Sequence, residues 1–320
     1  MLDTFYLLIG VALLTAGGEG LIRGSLGFAK RAGVSPLLSG LVIVGFGTSM
    51  PELVVSANAA INGQPDIAIG NVVGSNIANI LLILGLCATI TPLAVSPLSL
   101  RRDATMVIAA SLLFILLASG GPLTLIDALI LLIALLSYLV WTYCTEKNIA
   151  APSGQLHIAE AEEIEKLPKS ITLTSVEIIG GLALLIAGSQ ILLKGAVGIA
   201  TGLGVSEAVI GLTLVAVGTS LPELTISVIA ALRRHADVAV GNILGSNIFN
   251  ILGILGVSTL LQPLAVTGRV LVFDQWVMLG VALLLFLFLC TGRKLSRIEG
   301  GILLLGYLSY LAASYLFFSA

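Results

Sequence analysis

Gly47-Thr48-Ser49-Met50-Pro51-Glu52 returns 171 residues later as Gly218-Thr219-Ser220-Leu221-Pro222-Glu223, in apolar surroundings both times. The same offset carries Gly70-Asn71 to Gly241-Asn242 and Gly74-Ser75-Asn76-Ile77 to Gly245-Ser246-Asn247-Ile248. It also carries Pro92-Leu93-Ala94-Val95 to Pro263-Leu264-Ala265-Val266. Aligned without a gap, residues 40–95 and 211–266 agree at about 30 of 56 positions, which marks an internal repeat. Each copy places one carboxylate beside a proline in a stretch apolar enough for lipid. Two copies of one buried acid suggest one shared site.

Of the 320 residues 58 % are apolar and only 10 % charged, with a mean hydropathy of +1.12. A soluble domain carries roughly 25 % charged residues, so this chain has too little polar surface for water. Its apolar stretches run to roughly 20 residues or more, enough to cross a ~30 Å hydrocarbon layer. The net charge of −2 says little about partners. Cys87, Cys144 and Cys290 lack CxxC spacing, so neither a disulfide framework nor a zinc site is implied. His157 and His235 fall in loops outside any metal-ligand pattern. The start, Met1-Leu2-Asp3, has no basic segment and is not read as a cleavable signal peptide.

The pattern predicts an all-α membrane protein of ten transmembrane helices, at about 3–30, 35–62, 66–91, 102–120, 123–144, 173–201, 206–232, 238–262, 270–290 and 299–318. The only long polar stretch, rich in glutamate, lies between the fifth and sixth. The chain thus divides into a first five-helix repeat, 1–144, a linker, 145–172, and a second repeat, 173–320. One face collects Lys30, Arg31, Arg101, Arg102, Lys147, Lys166, Lys169, Arg233, Arg234, Arg293, Lys294 and Arg297, and the other only Arg269. By the positive-inside rule the linker is cytoplasmic and both termini lie outside the plasma (inner) membrane. Five helices is an odd number, so the second repeat must enter the membrane upside down. Inverted repeats of this kind are a transporter signature, with the substrate site at their interface near mid-bilayer.

Glu52 and Glu223 are the chemistry. An ionised side chain at that depth costs several kcal/mol and usually faces a polar cavity. Two neighbouring carboxylates would repel unless a cation sat between them. A hard ion such as Ca²⁺, which takes six to eight oxygens at ~2.3–2.6 Å, relieves both costs. The structural alternative is a pair of protonated glutamates bonded within the core. Pro51 and Pro222 lack an N–H and clash with the carbonyls of Gly47 and Gly218, so each helix should open there and turn backbone oxygens toward the site. Thr48, Ser49, Thr219 and Ser220 flank the breaks. Ser75 and Asn79 are four apart and share a helix face, as do Ser246 and Asn250. Interhelical hydrogen bonds, worth about 0.6 kcal/mol each in bilayers, are the alternative for these residues and the preferred reading for Asn76 and Asn247. Asn71 and Asn242 serve as readily to cap or steady the fold. Every donor in the set is oxygen, which favours Na⁺, Ca²⁺ or a similar hard ion over soft transition metals. Glu19 and Arg23, four apart in the first helix, read as an ion pair that snorkels toward the cytoplasm.

The paired motifs GTSMPE with GNVVGSNIAN and GTSLPE with GNILGSNIFN, over Gly40–Leu84 and Gly211–Leu255, resemble those of the cation/Ca²⁺ exchanger superfamily. The likeness is greatest to its prokaryotic Na⁺/Ca²⁺ exchanger-like proteins with two α-repeats, and it extends over essentially the full length. It implies cation sites between helices 2, 3, 7 and 8, with Glu52 and Glu223 as shared ligands joined on Ca²⁺ by the backbone oxygens of Thr48 and Thr219. For Na⁺ it adds the carbonyls of Gly45 and Ala216, the hydroxyls of Ser49, Ser220, Ser75 and Ser246, and the amides of Asn79 and Asn250. It also implies that helices 1 and 6 slide against the remaining core, and that three Na⁺ exchange for one Ca²⁺. Asn250 stands where some archaeal relatives and K⁺-dependent exchangers carry Asp. Asn cannot ionise, so no K⁺ site or proton-accepting role carries over to it. Gly45, where Ala often stands, is harmless if only its carbonyl binds.

The expected function is therefore antiport of Na⁺ against Ca²⁺ at one site opened alternately to each side. A Ca²⁺/H⁺ antiporter on the same fold and a passive cation channel are the rival readings. The Thr-Ser pair before proline speaks for Na⁺. No nucleophile–base pair or metal-ligand triad supports an enzyme. No cofactor and no nucleic-acid partner are expected; the partners are the two cations and the lipid bilayer, and the chain is expected to work as a monomer.

Overall fold

The computed structural model describes residues 2–34, 36–95, 97, 99–147, 168, 170–202 and 216–318. The first half runs through α1 (Leu2–Ala32), α2 (Gly40–Thr48), α3 (Met50–Ile61), α4 (Pro65–Ile90), α5 (Arg101–Ser119) and α6 (Leu125–Lys147). The second runs through α7 (Ile171–Gly202), α8 (Ala216–Thr219), α9 (Leu221–Leu232), α10 (Ala236–Leu261), α11 (Val270–Gly292) and α12 (Arg297–Phe318). Among the described residues seven helices are long and apolar enough to cross a membrane, and the bent pair α2–α3 makes an eighth. The first part of the helix expected over 206–232 lies outside the described residues, and α8 and α9 are its remainder. Most of the linker 145–172 also lies outside them. Of its residues, Pro168 packs on Gly27, and its carbonyl accepts a bond from Arg31 at 2.8 Å.

The helix breaks fall where proline requires them. Ser49 (φ −81°, ψ 7°) separates α2 from α3, and the two axes differ by 47°. Ser220 (φ −89°, ψ 10°) separates α8 from α9 in the same way. Pro51 and Pro222 then occupy the first turn of the following helix, where a missing N–H costs nothing. Both α3 and α9 end on a left-handed residue, Gly63 in one copy (φ 69°) and Arg234 in the other (φ 60°). In each, the next amide bonds back to a helix carbonyl, Gln64 to Ala59 at 2.9 Å and His235 to Ala230 at 2.8 Å.

Burial ranks the helices. The apolar window of α10 is 94 % buried and that of α4 67 %, against 33 % for α1 and 22 % for α7. So α4 and α10, the two helices that carry the Gly-Ser-Asn motifs, form the middle of the molecule. Each widens by a π-turn next to the motif, at Asn79–Leu84 and Phe249–Ile254, a local irregularity that recurs at functional sites.

At the periphery α1 and α7 pack against each other in opposite directions. Gly10, Gly17 and Gly24 meet Leu192, Leu185 and Ile178, while Gly181 and Gly188 meet Leu21 and Leu14. A Cβ at Gly17 would come within 2.8 Å of the Gly181 carbonyl, and one at Gly181 within 2.7 Å of the Leu21 nitrogen. Small residues therefore set the approach of these two backbones, as lipid provides no hydrophobic drive of its own. Glu19 and Arg23 reach beyond their own helix: Arg23 pairs with Glu177 of α7 at 3.1 Å, and Glu19 pairs with Arg233 beyond α9.

Short pairings tie the two halves together at matched places. Leu93–Ala94 pairs antiparallel with Lys294–Leu295, and Leu264 bridges Leu123. Two polar clusters also match, the first buried and the second partly exposed. Tyr138 donates to Asp103 at 2.8 Å beside Arg102, and Tyr310 donates to Asp274 at 2.9 Å beside Arg269. In each, an arginine offsets an aspartate in the low-dielectric interior and a tyrosine from a later helix supplies a further bond.

Candidate cation site

Both acids of the repeated motif lie in the core: Glu52 and Glu223 are each 1 % exposed. The breaks hold them. Ser49 donates to Oε1 of Glu223 at 2.9 Å, and Ser220 donates to Oε1 of Glu52 at 2.9 Å. The hydroxyl freed at one helix break thus orients the carboxylate of the other copy. Ser220 also lies 3.5 Å from the hydroxyl of Ser75 on α4, one turn from Asn79. On the opposite side Ser246 of α10 donates to the Gly45 carbonyl at 3.0 Å. Thr48 donates to the same carbonyl at 3.3 Å and to Oδ1 of Asn242 at 3.2 Å.

What the protein leaves unbonded is as informative. Oε2 of Glu52, Oε2 of Glu223, Oδ1 of Asn79, Oδ1 of Asn250 and Oγ1 of Thr219 are buried with no hydrogen-bond partner among the described residues. All five are oxygens, and two belong to carboxylates. Buried groups of this kind cost several kcal/mol if nothing meets them, and oxygen is the donor that a hard cation takes. Among the described residues no group of three or more His, Cys, Asp or Glu assembles.

The structure therefore joins Glu223 with Ser49, and Glu52 with Ser220 and Ser75, through direct contacts, and Gly45, Thr48 and Ser246 through the Gly45 carbonyl. Asn79 and Asn250 present orphaned oxygens, as does Thr219. Ala216 opens α8 at the edge of the described residues, and nothing further places it. Gly45 also has a place in the packing. A Cβ there would come within 2.9 Å of the Asn242 carbonyl and 3.0 Å of the Ser246 nitrogen, so glycine also lets α2 lie against α10.

Four asparagines make the helix-to-helix bonds expected of them. Asn71 bonds the Glu52 carbonyl at 3.3 Å and Ser56 at 2.9 Å, and Asn242 bonds the Glu223 carbonyl at 3.2 Å and Ser227 at 2.8 Å. Each anchors the first turn of a glutamate-bearing helix to the following helix. Asn76 and Asn247 bond Asn250 and Asn79 across the two copies. Their repetition at the common offset was the available signal, together with that of Ser56 and Ser227.

A family profile described as sodium/calcium exchanger protein matches residues 2–144 and 175–316. The chain belongs to the sodium/calcium exchanger family. It is 39 % identical over 323 residues to the putative antiporter CaxA of Alkalimonas amylolytica, covering all of both chains. It is 32 % identical to the sodium/calcium exchanger MaX1 of Methanosarcina acetivorans, covering 95 % of this chain and 96 % of that one. The fold matches the sodium-calcium exchanger NCX_Mj soaked with 10 mM Na⁺ and 10 mM Sr²⁺ at a TM-score of 0.82 and 35 % identity, over 97 % and 98 % of the two chains. The same exchanger soaked with 2.5 mM Na⁺ and 0.1 mM Ca²⁺ gives 0.83 at 34 % identity, over 98 % of each. Membership makes this sodium/calcium exchanger family protein a multi-pass cation/Ca²⁺ antiporter, a transporter and not an enzyme.

Proposed function

We propose that the chain exchanges Na⁺ for Ca²⁺ by alternating access at one site shared by Glu52 and Glu223. The observation that carries this reading is the pair of reciprocal serine bonds, which orient one oxygen of each carboxylate and leave the other orphaned in the core. Thr48, Thr219, Ser49, Ser220, Ser75, Ser246, Asn79, Asn250 and the carbonyls of Gly45 and Ala216 complete the ligand set. Ca²⁺ and Na⁺ are cargo here, in keeping with the soaked ions of the matched exchanger.

The architecture in this reading is ten membrane-spanning helices in two inverted repeats, 1–144 and 173–320, around a cytoplasmic linker 145–172. Both termini lie outside the inner membrane, and a monomer suffices for transport. Support comes from the opposite directions of α1 and α7, from the two matched helix breaks, and from the one-sided distribution of Lys and Arg.

Coupling follows from electrostatics. Two glutamates are satisfied by one divalent ion or by several monovalent ones, whereas an empty charged site is costly to enclose in a low-dielectric core. The access change is then disfavoured without cargo, which prevents leak. With three Na⁺ against one Ca²⁺, each cycle moves one net charge and responds to voltage.

Isotopic Ca²⁺ uptake into proteoliposomes under Na⁺, H⁺ and K⁺ gradients, imposed one at a time, tests the assignment. Uptake driven by the Na⁺ gradient alone is the expected result. Uptake that follows H⁺ and ignores Na⁺ would assign proton coupling on the same fold, and uptake that needs no countergradient and does not saturate would make the protein a channel.

A further inference from the structure

Asn76, Asn79, Asn247 and Asn250 form one hydrogen-bonded set between α4 and α10, and each is 1 % exposed or less. Asn79 donates its Nδ2 to Oδ1 of Asn247 at 2.9 Å, and Asn250 donates its Nδ2 to Oδ1 of Asn76 at 3.1 Å. Asn76 donates to the backbone carbonyl of Asn247 at 3.3 Å, and Asn247 to that of Asn76 at 3.5 Å. Asn76 Nδ2 also lies 3.7 Å from the Met278 sulfur.

An amide can turn over and exchange its donor end for its acceptor end, so something must decide which end faces a cation. A backbone carbonyl cannot turn over and can only accept. The NH₂ ends of Asn76 and Asn247 must therefore face those two carbonyls. Their oxygens then face Asn79 and Asn250, which can answer only with NH₂. By elimination, Oδ1 of Asn79 and of Asn250 is the end left over, and these are the two asparagine oxygens buried without a partner among the described residues. An amide in the reverse sense would set a donor against the cation and leave two oxygens facing each other.

We propose that Asn76 and Asn247 are positioning residues, which fix Asn250 and Asn79 with oxygen toward the transported ion. They touch no ion themselves. The assignment rests on the cation site described above and adds to it a reason why the amides there act as ligands.

The test uses the purified full-length protein and follows the rise in melting temperature with added Ca²⁺ or Na⁺, each variant being referred to its own ion-free value. Asn247→Leu keeps the volume and removes the acceptor, so Asn79 is free to turn. Its half-saturating Ca²⁺ is expected to rise by about tenfold or more, the size of one lost hydrogen bond to a charged site. Asn247→Asp keeps an oxygen toward Asn79 and is expected to bind Ca²⁺ at least as well as the unaltered protein. In an Asn79→Asp background the two terminal oxygens are equivalent, and Asn247→Leu is expected to add less than about twofold, a departure from additivity. Asn76→Leu and Asn76→Asp repeat the comparison at Asn250 and serve where position 247 does not tolerate leucine. Equal losses in the Leu and Asp variants, or the same loss with and without Asn79→Asp, would show packing alone and overturn the assignment. An unaltered protein that responds to neither cation would remove the site itself, and the orientation with it.

Discussion

The hydroxyl of Ser49, at the helix break of the first motif, donates to the carboxylate of Glu223 in the second at 2.9 Å. Ser220 returns the bond to Glu52 at the same distance. Each acid is thereby held by a residue 174 or 168 positions away in sequence, and neither copy of the motif forms a finished site alone. A hydrogen bond to a charged group is worth about 1.5–3 kcal/mol, or roughly ten- to a hundredfold in affinity. Ser49→Ala and Ser220→Ala should each raise the half-saturating Ca²⁺ for uptake into proteoliposomes by that order. A normal half-saturation in either variant would show that its bond does not serve the ion.

Close approach of α2 and α10 rests on glycine at a second point. A Cβ at Gly245 would come within 2.3 Å of the Leu41 carbonyl, an approach only a shift of backbone could relieve. Gly245→Ala is expected to cost about 1–3 kcal/mol or more, as overpacking does elsewhere. The melting temperature of the purified variant checks this, and an unchanged value would contradict the packing described.

The Arg102–Asp103–Tyr138 cluster should matter for folding and little for ions. Arg102 is 2 % exposed and Asp103 is fully buried. Asp103→Leu removes the carboxylate that offsets the guanidinium, a loss of about 3–5 kcal/mol. Tyr138→Phe removes one bond to the Asp103 carboxylate, at about 1.5–3 kcal/mol for a bond to a charged group, leaves the bond from Arg102 to the same oxygen, and is expected to keep the half-saturating Ca²⁺. A melting profile beside an uptake curve separates the two effects; altered ion affinity in Tyr138→Phe would link the cluster to the site.

Arg234 carries a strain that its counterpart Gly63 avoids. A left-handed conformation costs an L-residue about 1–2 kcal/mol, less what glycine loses on ordering. Arg234→Gly should raise the melting temperature slightly, by the equivalent of about 0.5–1 kcal/mol. A marked fall would show that the side chain holds more than its backbone strain gives up.

Much of this was legible in the sequence because the chain states it twice. The acids, the serines beside them and the proline breaks recur at one offset, and a bilayer gives a repeated carboxylate few structural uses. Seven apolar spans and the bent pair α2–α3 were legible from apolar length, and the breaks at Ser49 and Ser220 from the proline that follows each. What pairs with what was not. Nothing in the spacing says that Ser49 serves the distant glutamate in place of Glu52, or that Gly45 must clear the Asn242 carbonyl. Asn76 and Asn247 make the interhelical hydrogen bonds expected of residues one step off the ligand face, but the partners of those bonds were not legible. Glu19 and Arg23 have partners that helical spacing could not show, Arg233 for the first and Glu177 for the second.

The account depends most on the two glutamates acting as one charge. Na⁺-driven ⁴⁵Ca²⁺ uptake into proteoliposomes, with Glu52→Gln and Glu223→Gln compared beside the unaltered protein, measures that directly. Both variants should fold, melt cooperatively and show no uptake above empty vesicles. Gradient-dependent uptake retained in either one would contradict the shared site.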